Sequence, residues 1–132
     1  MVSGVAGQPS EDGAAGNERF GVEVRGDSGT AVLALTGELD HDTAEPLRRA
    51  LADCVEAAPE RIVVDFGDLE FCDSTGLNVL LRARLSAIEA GCGLELAALR
   101  PPVARMFDVT GAHAVFTVYA SLAEALADRR PT

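Results

Sequence analysis

The chain has 132 residues, a length typical of one compact domain that buries a core without staples. Its formal net charge of -10 argues against binding to nucleic acid or to an anionic membrane, because both need basic surfaces. No apolar run reaches the ~18 residues of a membrane span, and residues 1–20 lack the pattern of a secretory signal. We therefore expect a soluble cytoplasmic protein.

The reactive residue types are sparse. Every basic residue is arginine, which excludes Schiff-base chemistry and the phosphate-binding lysine of a P-loop. The three cysteines and two histidines match no common metal-ligand spacing, so we expect no metal and no cofactor. An odd number of cysteines in a cytoplasmic chain predicts reduced, buried thiols.

The predicted elements begin after residue 18. Residues 1–18 are rich in glycine and small residues and predict a flexible N-terminal tail, and residues 19–132 form the predicted domain. Phe20, Val22 and Val24 alternate with other residues, which predicts a half-buried strand. A turn at residues 26–29 leads to a more buried strand at 31–35, so the two strands predict a hairpin.

The middle of the chain predicts a helix and a central strand. Residues 37–41 predict a loop, after which Asp42 and Glu45 form a capping box for a helix that runs to about Ala58. The apolar run at residues 62–66 predicts a strand buried on both faces, followed by a loop at residues 67–73.

The second half continues the alternation of helices and strands. We predict a helix at 74–90, a strand at 94–98, a helix at 101–107, a strand at 114–118, and a last helix through Ala127 capped by Ser121 and Glu124. This order predicts a single α/β domain with a mixed, mostly parallel sheet, an N-terminal hairpin and about four helices.

The informative segment is residues 71–81, which places Asp73, Ser74 and Thr75 where a loop meets a helix. One interpretation is structural, in which Asp73 or Ser74 is a plain N-cap. The other is that Ser74 is a phosphoacceptor. A phosphate adds about -1.5 to -2 charges at neutral pH, which a helix N-terminus tolerates while a docking partner is repelled.

Residues 71–81 resemble the signature of STAS-domain anti-sigma factor antagonists, in which an Asp-Ser-Ser/Thr-Gly-Leu run carries the phosphorylated serine. The segments 35–45 and 103–111 are similar to two further segments of that family, in the same order. The resemblance extends over about residues 20–126 and implies a STAS-type fold. It departs from the family at Asn78, where many members have glycine.

The resemblance also implies a function. The unphosphorylated antagonist binds an anti-sigma factor, which is a serine kinase with a histidine-kinase-like ATPase fold, and thereby releases a sigma factor. Phosphorylation of the serine, here Ser74, ends the binding, and a PP2C-type phosphatase restores it. The antagonist is then a binding module and a phosphorylation substrate, with no catalytic residues of its own.

We predict a partner-binding face around Ser74 that consists of Asp40, Asp73, Thr75, Gly76, Asn78, Val79 and Arg82. Helical geometry places the last members of this set opposite an apolar stripe predicted to face the core, namely Leu77, Leu81, Leu85 and Ile88, with Arg84 inside it. Asp40 has a second interpretation as a turn residue that satisfies its own backbone.

Two alternatives from other classes remain open. An esterase-like triad would use Ser74 as nucleophile, His41 as base and Asp40 or Asp42 as its orienting group, although no Gly-x-Ser-x-Gly elbow surrounds Ser74. A non-switching STAS module of a stressosome or a transporter complex would keep the fold without the phosphorylation.

Overall fold

The computed structural model describes residues 14–16 and 19–128, the first three by their backbone. Ala14–Gly16 form a short strand that sequence analysis did not predict, and the rest of the predicted tail lies outside the described residues. The division into a tail and a domain therefore stays a prediction. Within the described residues, no helix is long and apolar enough to cross a membrane.

The described residues form a six-stranded sheet whose strands lie side by side in chain order. The strands are β1 Ala14–Gly16, β2 Phe20–Asp27, β3 Thr30–Leu39, β4 Arg61–Cys72, β5 Gly93–Ala97 and β6 Val118–Tyr119. The helices are α1 Ala44–Ala57, α2 Ser74–Glu89, α3 Pro101–Thr110 and α4 Leu122–Ala127, with a short 3-10 turn at Ala112–Ala114. β1, β2 and β3 pair antiparallel, and β3 to β6 pair parallel. The predicted α/β class with a mixed sheet and four helices is confirmed.

The core lies mainly on one face of the sheet. Ile62, Val64 and Phe66 of β4 pack there with buried residues of α1, α2 and α3, including an edge-to-face contact between Phe66 and Phe107 at 6.1 Å. Val63 faces the other way, onto α4, because successive strand residues point to opposite faces. Three helices therefore cover one face of the sheet and α4 covers part of the other.

The predicted hairpin is confirmed, with a tighter turn than expected. Only Ser28 and Gly29 form the turn, at φ 51° and 86°, so the connection is the two-residue type whose twist matches the strands. β2 is not the edge of the sheet, because β1 pairs with its outer side.

Two predicted loops are shorter than expected because most of their residues are the ends of strands. β3 continues through Leu39, and β4 continues through Cys72, which pairs with Leu39 in parallel register. Gly37 adopts φ 86° at an irregularity of this pairing, beside the backbone of Arg19. Glycine and acidic residues suggested loops locally, whereas long-range pairing of the two strands keeps them extended.

The predicted start of α1 is also wrong. Thr43, not Asp42, is the residue before the helix, and its side chain does not cap it. The buried Thr43 hydroxyl donates to Glu38 O at 2.8 Å and accepts from the amide of Asp40, while Glu45 pairs with Arg48. The cap predicted for the last helix is confirmed at Ser121, whose Oγ accepts a hydrogen bond from the amide of Glu124 at 3.1 Å.

The predicted last strand is displaced. Ala112–Ala114 form a 3-10 turn, and the strand is only Val118–Tyr119. Phe116 lies between these two elements and is buried against Phe107, with 6.1 Å between ring centroids. Packing of this aromatic ring in the core bends the apolar segment that the sequence suggested was extended.

The predicted apolar stripe of α2 is wrong in its second half, because Leu77 is buried and Leu81 packs against the core but Leu85 and Ile88 do neither. The helix buries Gly76, Leu77, Leu80 and Ala87, whereas Leu85 and Ile88 are 59% and 58% exposed. α2 packs on both α1 and β5, and this pair of contacts turns the Leu80 side inward. Arg84 is half-buried beside the core-facing side.

Candidate partner-binding site at the start of helix α2

The candidate site lies where two parallel strands end side by side. The amide of Asp73, directly after β4, donates to the carbonyl of Leu39 at the end of β3, at 3.1 Å. Asp40 follows Leu39, and Ser74 follows Asp73, so the two segments meet at one edge of the sheet. The carboxyl ends of parallel strands are a common position for binding sites.

Asp73 is the N-cap of α2. Its Oδ1 accepts from the amide of Thr75 at 2.9 Å and from the amide of Gly76 at 3.3 Å, and its carbonyl accepts from the amide of Leu77. These bonds satisfy donors that the first turn of a helix leaves unpaired. Of the two capping candidates in the sequence, Asp73 takes the role, and Ser74 becomes the first helical residue.

Ser74 is exposed, and its hydroxyl makes no hydrogen bond within the described residues. Because Asp73 already caps the helix, the fold does not use the Ser74 hydroxyl. A group attached to this oxygen would project into solvent beside the positive end of the helix dipole, where negative charge is tolerated. The arrangement can therefore accept a phosphate without loss of an internal contact.

Asp40 is held by Arg19. The guanidinium donates to both carboxylate oxygens, at 2.9 and 3.2 Å, and this hydrogen bonding lowers the pKa of Asp40 below its ordinary 3.8. Asp40 also accepts from the amide of Asp42 at 2.9 Å, the pattern of a turn residue. Among the described residues its bonds go to Arg19 and to its own loop, so they leave Ser74 untouched.

The other residues of the predicted face differ in access. Asn78 and Arg82 are exposed, and Thr75 and Val79 are half-buried. Val79 and Arg82 line a groove of about 270 Å³ between α1 and α2. Gly76 is buried, so it helps to position the start of α2 and does not contact a partner directly.

The structure adds two residues that sequence analysis missed. Arg19 orients Asp40, and Phe71, two residues before the cap, has 49% of its surface exposed next to the start of α2. The alternation along β4 could have revealed Phe71, because its neighbour Cys72 faces the core and Phe71 must then face outward. No local signal marks Arg19, which reaches Asp40 across the sheet.

The alternative triad is not assembled among residues 19–128. His41 Nε2 lies 3.2 Å from Asp42 Oδ1, and both side chains are exposed. Asp40 is occupied by Arg19, and the Ser74 hydroxyl has no hydrogen-bonded base within that range. The geometry required for an activated serine nucleophile is therefore missing from this part of the chain.

Comparisons with known proteins identify the family to which the chain belongs. The family model described as Mlab, STAS domain matches residues 22–124. The chain is 29% identical over 108 residues to an anti-sigma F factor antagonist of Paenibacillus polymyxa, covering 81% of this chain and 92% of that protein. A solved anti-sigma factor antagonist from Mycobacterium paratuberculosis is similar with a TM-score of 0.78 and 28% identity, covering 85% of this chain and 95% of that one.

A third similar protein is the anti-sigma factor antagonist SpoIIAA of Bacillus. Its unphosphorylated form matches with a TM-score of 0.70 and 25% identity, over 80% of this chain and 92% of that chain. Its phosphorylated form matches with a TM-score of 0.66 and 24% identity, over 83% of this chain and 99% of that chain. The chain thus belongs to the family of STAS-domain anti-sigma factor antagonists.

Proposed function

We propose that this protein is an anti-sigma factor antagonist whose unphosphorylated form binds an anti-sigma factor serine kinase and releases a sigma factor. Phosphorylation of Ser74 then switches the binding off. The names of the similar proteins support the first part. The second part is supported by the existence of a phosphorylated form of SpoIIAA.

Asp73 and Ser74 have different roles at the start of α2, and this difference is the observation that carries the proposal. Asp73 supplies the cap, which leaves the Ser74 hydroxyl exposed and unbonded at the first position of α2. A phosphate there adds about -1.5 to -2 charges. Because the helix start tolerates this charge, the fold persists while the surface that meets the partner gains negative charge.

The finer features of the switch follow the same scheme. The kinase has a histidine-kinase-like ATPase fold, a PP2C-type phosphatase removes the phosphate, and the exchange takes place in the cytoplasm. The antagonist is a substrate in both reactions. Asn78, Arg82 and the accessible parts of Asp40, Thr75 and Val79 surround the phosphoacceptor as contacts for the kinase.

Affinity measurements with the purified anti-sigma factors of the source organism test the proposal. We expect one of them to bind the unphosphorylated protein and the Ser74→Ala variant alike, and Ser74→Asp to bind at least tenfold more weakly. Ser28→Asp, exposed in the hairpin turn at the opposite end of β3, is the matched control and should retain affinity.

Two results would contradict the proposal. If Ser74→Ala and Ser74→Asp bound with equal affinity, negative charge at residue 74 would not control binding. Isolation of the protein with a transporter or in a large multi-STAS assembly, with Ser74 unmodified and no affinity for any anti-sigma factor, would favour the non-switching STAS module.

A further inference from the structure

The exposed side of α2 carries a continuous row that begins at the phosphoacceptor. Intervals of four, three, four and three residues separate its members, which we call the outer row: Ser74, Asn78, Leu81, Leu85 and Ile88. Residues at these intervals lie one above the other on a helix. The row therefore runs about 21 Å along the helix, at a rise of about 1.5 Å per residue.

The second half of the outer row is apolar and open to solvent. Leu85 and Ile88 are both more than half exposed, and Leu81 is half-buried. Single exposed leucines are ordinary, but a line of three aliphatic side chains on one helix is an apolar strip. Leu81 packs against the core with its buried part, whereas Leu85 and Ile88 are exposed, so folding of the described chain does not account for the exposed end of this strip.

The spacing of the outer row indicates what would cover it. Alternating intervals of four and three are those of the a and d positions of a heptad repeat, the pattern by which one helix packs along another. An apolar strip of this kind fits an amphipathic helix whose own apolar residues interdigitate with Leu81, Leu85 and Ile88.

The charges beside the outer row indicate the sign of the charge that the docking helix carries. Arg82 and Arg84 flank it at the heptad positions that select coiled-coil partners, and neither has an ion pair within residues 19–128. α2 has one acidic residue, Glu89, at its end, although the whole chain has a net charge of -10. Carboxylates on the partner would complement both arginines. A second copy of this chain would instead bring two strongly acidic molecules together.

We infer that the outer row of α2 is a docking surface for an amphipathic helix of the anti-sigma factor that carries carboxylates beside its apolar residues. This inference rests on the proposed function and extends the contact from the start of α2 to its last turn. It also gives the switch a physical cause. A phosphate on Ser74 adds negative charge at one end of a surface that binds an acidic helix.

A peptide titration tests the chemistry of the surface without the natural partner. The probe is a synthetic three-heptad peptide with leucine at a and d and glutamate at e and g, and its control has lysine at e and g. We expect NMR amide shifts of the labelled protein to concentrate between Asn78 and Ile88 with the glutamate peptide alone. Absence of shifts on α2, or equal binding of both peptides, would overturn the inference.

Variants test whether the anti-sigma factor uses this surface. Leu85→Ser with Ile88→Ser should weaken binding about tenfold or more, as loss of buried apolar contacts does, without loss of stability because both residues are exposed. Arg82→Glu should also weaken binding to the anti-sigma factor, and this loss of affinity should be largest at low salt. Val109→Ser, at the exposed end of α3, is the matched control and should bind as the wild type does.

The outcomes separate this inference from the proposed function. If the wild type binds an anti-sigma factor and Ser74→Asp does not, but the double variant binds normally, the docking surface is wrong and the switch stands. If no anti-sigma factor binds but the glutamate peptide docks on α2, the proposed function fails and the surface remains. Dimerisation in ultracentrifugation that the double variant abolishes would assign the row to a second copy and overturn the inference.

Discussion

Gly76 lies so close to Leu39 that a Cβ atom at residue 76 would stand 2.6 Å from Leu39 Cδ2. The same atom would stand 2.9 Å from Cys72 Sγ. This contact packs the start of α2 against the ends of β3 and β4, and it thereby fixes the position of Ser74. Only a residue without a side chain permits it.

Gly76→Ala should therefore lower the free energy of unfolding by about 1–3 kcal/mol, as overpacking of a core does, despite the better helix propensity of alanine. Urea denaturation measures the change. Gly26→Ala is the matched control, since a Cβ there meets nothing within 4 Å and should leave stability near that of the wild type. A Gly76→Ala variant as stable as the wild type would show that the helix start is loosely seated.

Asp73→Ala should lower the free energy of unfolding by about 1 kcal/mol, because the amides of Thr75 and Gly76 lose their acceptor. Asp73→Asn keeps a side-chain oxygen and should retain most of the stability. Ser74→Ala should change it by less than about 0.5 kcal/mol, since the hydroxyl is unbonded. The reverse ranking in thermal or urea denaturation would mean that Ser74, not Asp73, stabilises the helix start.

The pKa of Asp40 should be below its ordinary value of 3.8 in the folded protein, chiefly because Arg19 donates hydrogen bonds to it. A lowered carboxyl pKa contributes stability that is present above about pH 4 and is lost as the pH falls through the folded value. NMR titration of the carboxyl carbon measures the pKa, and Arg19→Ala should raise it. If Asp40 titrates at 3.8 or above in the wild type, the ion pair does not form in solution.

Burial raises the pKa of the Cys72 thiol from 9.0 to about 12. Since the unfolded chain ionises first, this thiol makes stability decline as the pH rises from about 9 towards about 12. Cys72 should resist iodoacetamide in the native protein and react in urea, as peptide mass spectrometry would record. Ser74→Cys, exposed two residues away, is the positive control and should react in both states. Rapid native alkylation of Cys72 would contradict the packing beneath Gly76.

Much of the fold could be predicted because its signals are local. The alternation of Phe20 and Val22 and the apolar run at 62–66 gave the hairpin and the central strand, and Asp73 before an apolar periodic segment gave the start of α2. Asp40 was placed near Ser74 because the family resemblance implies that both loops lie at the same edge of the sheet.

The parts that were wrong depend on long-range contacts. Leu39 and Cys72 belong to strands because they pair with each other, although the residues around them are typical of loops. Leu85 and Ile88 follow helical periodicity, but the period does not distinguish a side that faces the core from one that faces a partner. Contacts with α1 and β5 decide that orientation, and neither is visible from the helix sequence.

In the proposed switch, phosphorylation of Ser74 ends binding to the anti-sigma factor. The most direct test mixes the purified protein, the anti-sigma factor that binds it and ATP, and follows intact mass and complex formation together. We predict that one phosphate appears on Ser74 and that the complex is lost in step, whereas Ser74→Ala takes up no phosphate and stays bound. A complex that persists after Ser74 is fully phosphorylated, or a phosphate that appears elsewhere, would contradict the account.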